Sequence, residues 1–322
     1  MTAMMAMTTV RGPRYSRNVE VMRIVISGSS GLIGSALVAS LRKQGHTVVR
    51  LVRRPAQGGG DIQWDPVAGT LDPAALAGVD AVINLSGAGI GDKRWTDAYK
   101  RELLDSRLRT TELLAGTIAG IEAPEQRPSV FLSGSAIGWY GPRGDEELTE
   151  ASSAGSTFLA DICKQWEVAT GAAEAASVRT AHLRTGIVLT PKGGALKKQL
   201  PLFKFGLGGR FGRGTQWQSW ISLDDEVAAI EHLLTADVSG AVNLTAPHPV
   251  TNREFTEVLG KVLKRPTLLP IPSFGPKLLL GGELADALLF TGQRVLPARL
   301  GTSGFEFRHP TLEVALRALL GR

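Results

Sequence analysis

A doubly wound α/β sheet with a smaller C-terminal lobe is the fold class this 322-residue chain predicts. Three observations carry the prediction. The first half alternates short β-branched runs with amphipathic helical patterns, as in a parallel sheet covered on both faces. The first run meets the first helix through a glycine turn, SGSSGLIG at Ser27–Gly34. After Thr190 the chain changes to glycine- and proline-rich segments between shorter helical patterns.

The elements follow in order. Met1–Val21 sets Arg11, Arg14 and Arg17 against Glu20 and has no apolar h-region, so it is not a secretory signal. It reads as a disordered tail over 1–21, with the functional start near Met22. Arg23–Ser27 is a strand. Gly28, Gly31 and Gly34 then follow the spacing G-x-x-G-x-x-G, with Ser29, Ser30, Leu32 and Ile33 between them. Gly28 permits the tight turn, Gly31 lets backbone approach phosphate, and Gly34 lets helix and strand pack closely. The helix start adds unpaired N–H donors and a partial positive charge, so this segment predicts a pyrophosphate site. Leu32–Gln44 is a helix closed by Gly45, and Thr47–Val52 and Ala81–Leu85 are strands. Asp97–Ala119 is a long helix with Leu104, Leu108, Ala115 and Ile118 on one face. Ser129–Ser133 is a strand, Phe158–Ala175 a helix, and Val178–Leu189 contains a further strand. Helices are expected at Leu223–Thr235, Asn252–Leu263 (capped by Asn252) and Thr311–Leu320. A strand at Ala241–Thr245 returns to the main sheet. The organisation is a tail, a Rossmann-type nucleotide domain over 22–190 and a substrate lobe over 191–322. Ligands of such sheets bind beyond the carboxyl ends of the strands, and Gly28, Arg53, Ser86 and Ser135 are expected to converge there.

Composition narrows the classes. No apolar run approaches the roughly 20 residues that span a bilayer. The formal charge of +6 is spread along the chain without a Lys/Arg block, which argues against a nucleic-acid partner. Cys163 is the sole cysteine, so no disulfide forms within the chain and a reducing, cytoplasmic setting is expected. His46, His182, His232, His248 and His309 show no ligand spacing, and no metal site is expected.

The residue ending the second strand selects the coenzyme. An acid there bonds the 2′-hydroxyl of NAD, whereas an Arg accommodates the 2′-phosphate of NADP. This chain reads Leu51-Val52-Arg53-Arg54, and the first acid beyond is Asp61. NADP, as NADPH in its reduced form, is the expected cofactor, with Arg53 and Arg54 on the phosphate.

Further segments accompany the glycine turn: INLSGA at Ile83–Ala88, KRWT at Lys93–Thr96, DSRL at Asp105–Leu108, SGSAIGWYG at Ser133–Gly141 and RTGIVL at Arg184–Leu189. GLGG at Gly206–Gly209, QWQSWISLDD at Gln216–Asp225, NLTAP at Asn243–Pro247 and GQRVLP at Gly292–Pro297 complete the set. In this combination the chain, from Met22 to its end, resembles the extended short-chain dehydrogenase/reductase superfamily. Within it, the resemblance is to an atypical epimerase-like branch labelled as NADP-dependent oxidoreductases or nucleoside-diphosphate-sugar epimerases. The resemblance implies coenzyme contacts at Gly28–Gly34, Arg53, Leu85, Ser86, Gly87, Arg107 and Val188. For Arg107 the competing account is a surface ion pair with Glu102 or Asp105.

The superfamily's usual Tyr-x-x-x-Lys pair, which moves a proton to or from substrate oxygen, is missing. Tyr15, Tyr99 and Tyr140 are followed four residues later by Val19, Leu103 and Gly144. In the expected helix, Phe158/Leu159 and Ile162/Cys163 stand where the pair belongs. Ser135 matches the family's helper serine, and Tyr140 is the candidate substitute acid. The competing account of Tyr140 is a packed ring with a satisfied hydroxyl. Lys93, Arg94, Trp95, Arg210, Arg213, Trp217 and Trp220 suit a flat anionic ligand such as a nucleotide sugar. The expected function is an NADP-dependent oxidoreductase or epimerase-like enzyme for a small anionic or nucleotide-linked substrate. The alternative is a non-catalytic NADP(H)-binding sensor or scaffold. The oligomeric state is left open.

Overall fold

The computed structural model describes residues 21–322, so the tail expected over 1–21 lies, except for Val21, outside the described residues. Seven strands form the main sheet: β1 (Arg23–Ser27), β2 (Thr47–Val52), β3 (Asp61–Gln63), β4 (Ala81–Asn84), β5 (Val130–Ala136), β6 (Arg179–Thr185) and β7 (Gly240–Leu244). Their order is β7-β6-β5-β4-β1-β2-β3, and every neighbouring pair is parallel. This is the doubly wound arrangement that the sequence predicts. The chain first builds outward from β1 to β3, then restarts at β4 on the other side. The connections diverge between β1 and β4, and a crevice opens at that switch point.

Strand alternation explains the two cores. Ile24 and Ile26 face one side of the sheet with Ile83 and Leu132. They are covered by Leu37 and Leu41 of α1 (Leu32–Lys43) and by Ile230 and Leu233 of a later helix, Leu223–Thr235. Val25, Val82 and Phe131 face the other side, beneath Leu114, Ala115 and Ile118 of α2 (Asp97–Ala119). Both faces are covered, so the stretches Ile24–Ile26, Ala81–Ile83 and Val130–Leu132 of β1, β4 and β5 are wholly apolar. A third core joins the helices Gly194–Lys204, Asn252–Leu263 and Leu312–Leu320 through Leu200, Phe203, Phe255, Leu259 and Leu316.

Several local expectations are corrected. Strand β5 runs three residues past Ser133, which places Ser135 inside it. The helix expected over Phe158–Ala175 is α3 (Phe158–Val168) followed by a separate turn, Gly171–Ala175. At the break, the Thr170 hydroxyl donates to the Glu167 carbonyl at 2.7 Å. The strand expected within Val178–Leu189 divides at Gly186, where a Cβ would lie 2.7 Å from the Ser219 carbonyl oxygen. Its second part, Ile187–Leu189, pairs with Trp220–Ser222 instead of the sheet. Thr251, not Asn252, caps its helix: Thr251 and Glu254 form a reciprocal capping box. Asn252 is the first helical residue, and its side chain accepts the Phe211 N–H at 2.7 Å. The buried face of α2 runs through Leu103, Arg107, Thr110, Leu114 and Ile118, while Leu104 and Leu108 are half-exposed. A cation thus sits in the middle of that buried stripe.

Candidate functional site

The switch-point crevice has a volume of about 1010 Å³. Gly28–Gly31 form one wall and Leu85–Gly89 the facing one, while Arg53, Trp64 and Val67 lie towards its outer end. Gly28 has φ +68°, and a Cβ there would sit 2.9 Å from the Ser86 nitrogen and run into the Leu85 carbonyl. Only glycine permits this approach of β1's end to β4's end. A Cβ on Gly34 would run into the Gly28 carbonyl, so that glycine sets how closely α1 meets the turn. Gly31 is the N-cap of α1, with no side-chain cap and no acid in the first turn. The helix therefore presents uncapped N–H groups and a positive end next to the crevice.

The arginines at the end of β2 separate. Asp61 on β3 is fully buried and held by Arg50 at 2.7 Å and by Arg54 at 2.7 Å. Burial pushes its carboxyl up, but the two guanidinium groups outweigh that and hold it below the usual range. Arg54 is thus engaged by Asp61 and by the Pro55 carbonyl. Arg53 is exposed at the crevice edge, and no carboxylate pairs with it among the described residues. The nearest acid after β2 is closed off by two arginines, while Arg53 is unencumbered.

A smaller cavity of about 220 Å³ lies further in. Leu159, Ile162 and Cys163 of α3, the positions where the Tyr-x-x-x-Lys pair was sought, lie on its wall. Cys163 contacts the Ala136 carbonyl at 3.6 Å, and burial, aided by the Glu167 charge, pushes its thiol up to about 12. Arg107 and Thr185 are also on the wall. Arg107 is 7% exposed and forms no ion pair among the described residues: Asp105 is held by Arg109 and Glu102 by Lys93. It donates to the Leu103 carbonyl at 2.8 Å and lies 5.0 Å over the Trp166 ring.

Ser135 and Tyr140 come together, but away from both cavities. Ser135 donates to Glu167 at 2.7 Å. Arg184 clasps the same carboxylate through two 2.8 Å bonds and donates to the Tyr140 oxygen at 3.0 Å. Tyr140 donates onward to Asn243 at 2.7 Å and is wholly buried. Burial raises its pKa, against the opposing pull of Arg184 and Asn243. The hydroxyl thus has protein partners on both sides, and Tyr140 lines neither cavity. Val188, Leu32, Ile33 and Gly34 are not among the residues that line the crevice. Lys93, Arg94, Trp95 and Trp220 do not converge: they bind Glu102, the Leu278 and Leu279 carbonyls, the Ile90 carbonyl and the His248 carbonyl. Of the cations and rings expected to meet a ligand, only Trp217 lines the smaller cavity.

This architecture has known counterparts. A family model described as the NAD dependent epimerase/dehydratase family matches residues 24–245. The chain belongs to that family. A second family model, a domain of unknown function, matches residues 271–319. An epimerase family protein of Mycobacterium bovis is 46% identical over 294 residues, 91% of this chain and 96% of that protein. The crystal structure of human epimerase family protein SDR39U1 with NADPH is similar at TM-score 0.83 and 32% identity, covering 94% of this chain and 100% of that one. UDP-glucose 4-epimerase from Thermotoga maritima, solved with UDP-glucose, has TM-score 0.72 at 15% identity over 93% of this chain and 98% of that one, a likeness of fold alone. Within this family fold, Phe158/Leu159 and Ile162/Cys163 stand where the proton-moving pair was sought.

Proposed function

We propose that this chain binds NADP(H) across the switch-point crevice and is an oxidoreductase of the epimerase family. The observation that carries this reading is the contrast at the end of β2: Arg53 has no carboxylate partner among the described residues, whereas Asp61 is closed off by Arg50 and Arg54. A 2′-phosphate beside Arg53 would meet a free cation, and a bare 2′-hydroxyl would find no free acid there. The NADPH of the human relative's crystal structure supports the same choice. The cradle fits the group: Gly28 can bear no side chain, and the α1 start is uncapped. Gly28, Ser29, Ser30 and Gly31 would hold the diphosphate, Leu85–Gly87 the facing side, and Arg53 the 2′-phosphate.

When bound, the nicotinamide supplies or accepts hydride. The chain's own contribution is to orient it and exclude water. Leu159, Ile162 and Ile187 make one side of the smaller cavity apolar. Its titratable side chains are Arg107 and Cys163, so a proton at the substrate oxygen would come through a hydroxyl such as Thr185 or from water. Thr185 donates to Glu226 at 2.8 Å.

The apolar α3 wall also favours a second reading, a coenzyme-binding sensor without turnover. Titration calorimetry with NADPH and NADH, followed by single-turnover oxidation of bound NADPH against aldehydes, ketones and 2-oxo acids, tests both. Turnover supports the enzyme. Tight NADPH binding with no turnover supports the sensor, and no uptake of either coenzyme overturns both.

A further inference from the structure

We propose that Glu226 holds the proton that a carbonyl substrate's oxygen receives, and delivers it through the Thr185 hydroxyl; this rests on the reading of the chain as an NADPH-dependent oxidoreductase. The helix Leu223–Thr235 buries Leu223, Val227, Ile230, Leu233 and Leu234. Glu226 lies on the same stripe, three residues after Leu223 and four before Ile230, where the periodicity calls for an apolar residue. It is wholly buried. One carboxyl oxygen bonds the Thr185 hydroxyl at 2.8 Å, and the other has no partner among the described residues. An acid so placed costs stability that an apolar side chain would not.

Strand alternation keeps charge away from it. Ala181 and Leu183 of β6 belong to the core under this helix, and Thr185 follows them on the same side. His182 and Arg184 alternate to the opposite side, where they meet Glu167. The other charged groups around the helix are engaged elsewhere. Arg179 donates to the Leu233, Leu234 and Val238 carbonyls, and Arg42 to the Val48 carbonyl. Asp225 accepts from Ser222 and from the Arg308 and His309 N–H groups, and the His309 ring meets Ser222. Asp224 and Lys43 are exposed, and Glu231 and His232 lie more than a turn further along. Burial therefore raises the Glu226 pKa to about 8, opposed only by the Thr185 bond, and the carboxyl keeps its proton at neutral pH.

Thr185 ends β6 at the carboxyl edge of the sheet, where ligands of such folds bind, and lines the smaller cavity beside Gly186 and Ile187. The titratable side chains on that wall are the Arg107 cation and the Cys163 thiol, which burial pushes up to about 12. Glu226 stands one hydrogen bond behind the wall and can release a proton near neutral pH. In a carbonyl reduction the carbonyl carbon takes hydride from the reduced nicotinamide, and the C=O π pair moves onto oxygen. The Thr185 O–H bond breaks towards that oxygen and forms the product's O–H, while the Glu226 O–H bond breaks towards Thr185 Oγ. A protonated carboxyl and a hydroxyl can each donate and accept, so the pair can pass the proton on. An alcohol and a Glu226 carboxylate remain, and the carboxylate regains its proton from water through Thr185. Thr185 is the group at the substrate; Glu226 acts through it as a positioning residue.

The test loads the full chain with NADPH and offers benzaldehyde, cyclohexanone and pyruvate. Single-turnover loss of NADPH absorbance and the carboxylic C=O band in the infrared are followed against pH. Glu226→Gln removes one such band. The wild-type rate falls together with that band as pH rises through about 8. Glu226→Gln and Thr185→Val lower the rate at neutral pH by about tenfold to a hundredfold, the modest end for a general acid because water can stand in, and flatten the profile. Thr185→Ser restores most of the rate, and NADPH affinity stays within about threefold throughout. Wild-type rate and profile in Glu226→Gln overturn the proposal, assign the proton to water and leave the oxidoreductase reading standing. A slowed Glu226→Gln that keeps the wild-type profile overturns it as well, because a structural acid gives that result. So does an infrared band showing Glu226 ionised at neutral pH. If NADPH binds and no probe oxidises it, the oxidoreductase reading fails and the proposal with it; if NADPH does not bind, the crevice reading fails too. Should Thr185→Val not melt cooperatively, the Glu226→Gln profile decides.

Discussion

Replacing Arg53 with alanine isolates the coenzyme choice. Its guanidinium is exposed and makes no ion pair among the described residues, so the substitution removes little that the folded chain uses. What it removes is a charge-assisted bond to a 2′-phosphate, worth about 1.5–3 kcal/mol. Solvent screening at an exposed position puts the lower figure in force, and about 1.5 kcal/mol corresponds to a loss of roughly twelvefold in NADPH affinity. NADH lacks the phosphate and changes little. Arg50 and Arg54 still hold Asp61 in this variant, so no free acid emerges to favour the 2′-hydroxyl. Arg54→Ala acts less, by about threefold, because its charge is already answered by Asp61. The assay is calorimetric titration of each variant with both coenzymes, repeated at raised salt, where the NADPH preference shrinks. Equal weakening of NADPH and NADH by Arg53→Ala would refute the phosphate role.

Three further outcomes follow from the geometry. Tyr140→Phe leaves Asn243 and one Arg184 donor short of a partner, lowering stability by about 1–3 kcal/mol. NADPH affinity is unchanged, and loss of turnover without loss of urea midpoint would return Tyr140 to the chemistry. Gly28→Ala combines a left-handed backbone with a collision against Leu85, costing at least about 2 kcal/mol, and lowers affinity for both coenzymes alike; an unchanged urea midpoint would contradict the close approach of β1 and β4. Glu226 is wholly buried with one oxygen unpartnered, and burial, only partly offset by Thr185, raises its pKa from 4.5 to about 8. Between those values the folded chain holds a proton that the unfolded chain has released, so this group makes stability fall as pH rises from 4.5 to about 8 and level off above. Urea midpoints should show Glu226→Gln gaining on the wild-type chain across that window; a constant gap would refute the buried acid.

The sheet and its glycine turn are legible because local signals there agree with the global fold: apolar strands, uncapped helix start and the glycines at 28 and 34 all point one way. Element ends were less legible. Residue types alone do not reveal that Gly186 must pass close to Ser219, or that Thr251 outcompetes Asn252 as a cap. The site divides similarly. Arg53 is readable from its place after β2, but the capture of Arg54 by Asp61 depends on β3, a three-residue strand too short to carry a periodic signal. For Tyr140, sequence proximity to a strand end does not say which way the ring turns, so its burial between Arg184 and Asn243 could not be read. Arg107 had a signal that periodicity offers: counting from Leu103 through Leu114 to Ile118 places it on the inward face.

Arg107 and Cys163 share the wall of one small cavity, and that has a consequence for any attempt to reinstate the superfamily's usual chemistry. An ammonium at position 163 would share a small, largely apolar cavity with a guanidinium, and like charges so placed repel. A lysine at that position would therefore work against the resident arginine. Grafting tyrosine and lysine onto α3 alone would yield a misfit, and the graft becomes tenable only when position 107 is neutralised in the same molecule.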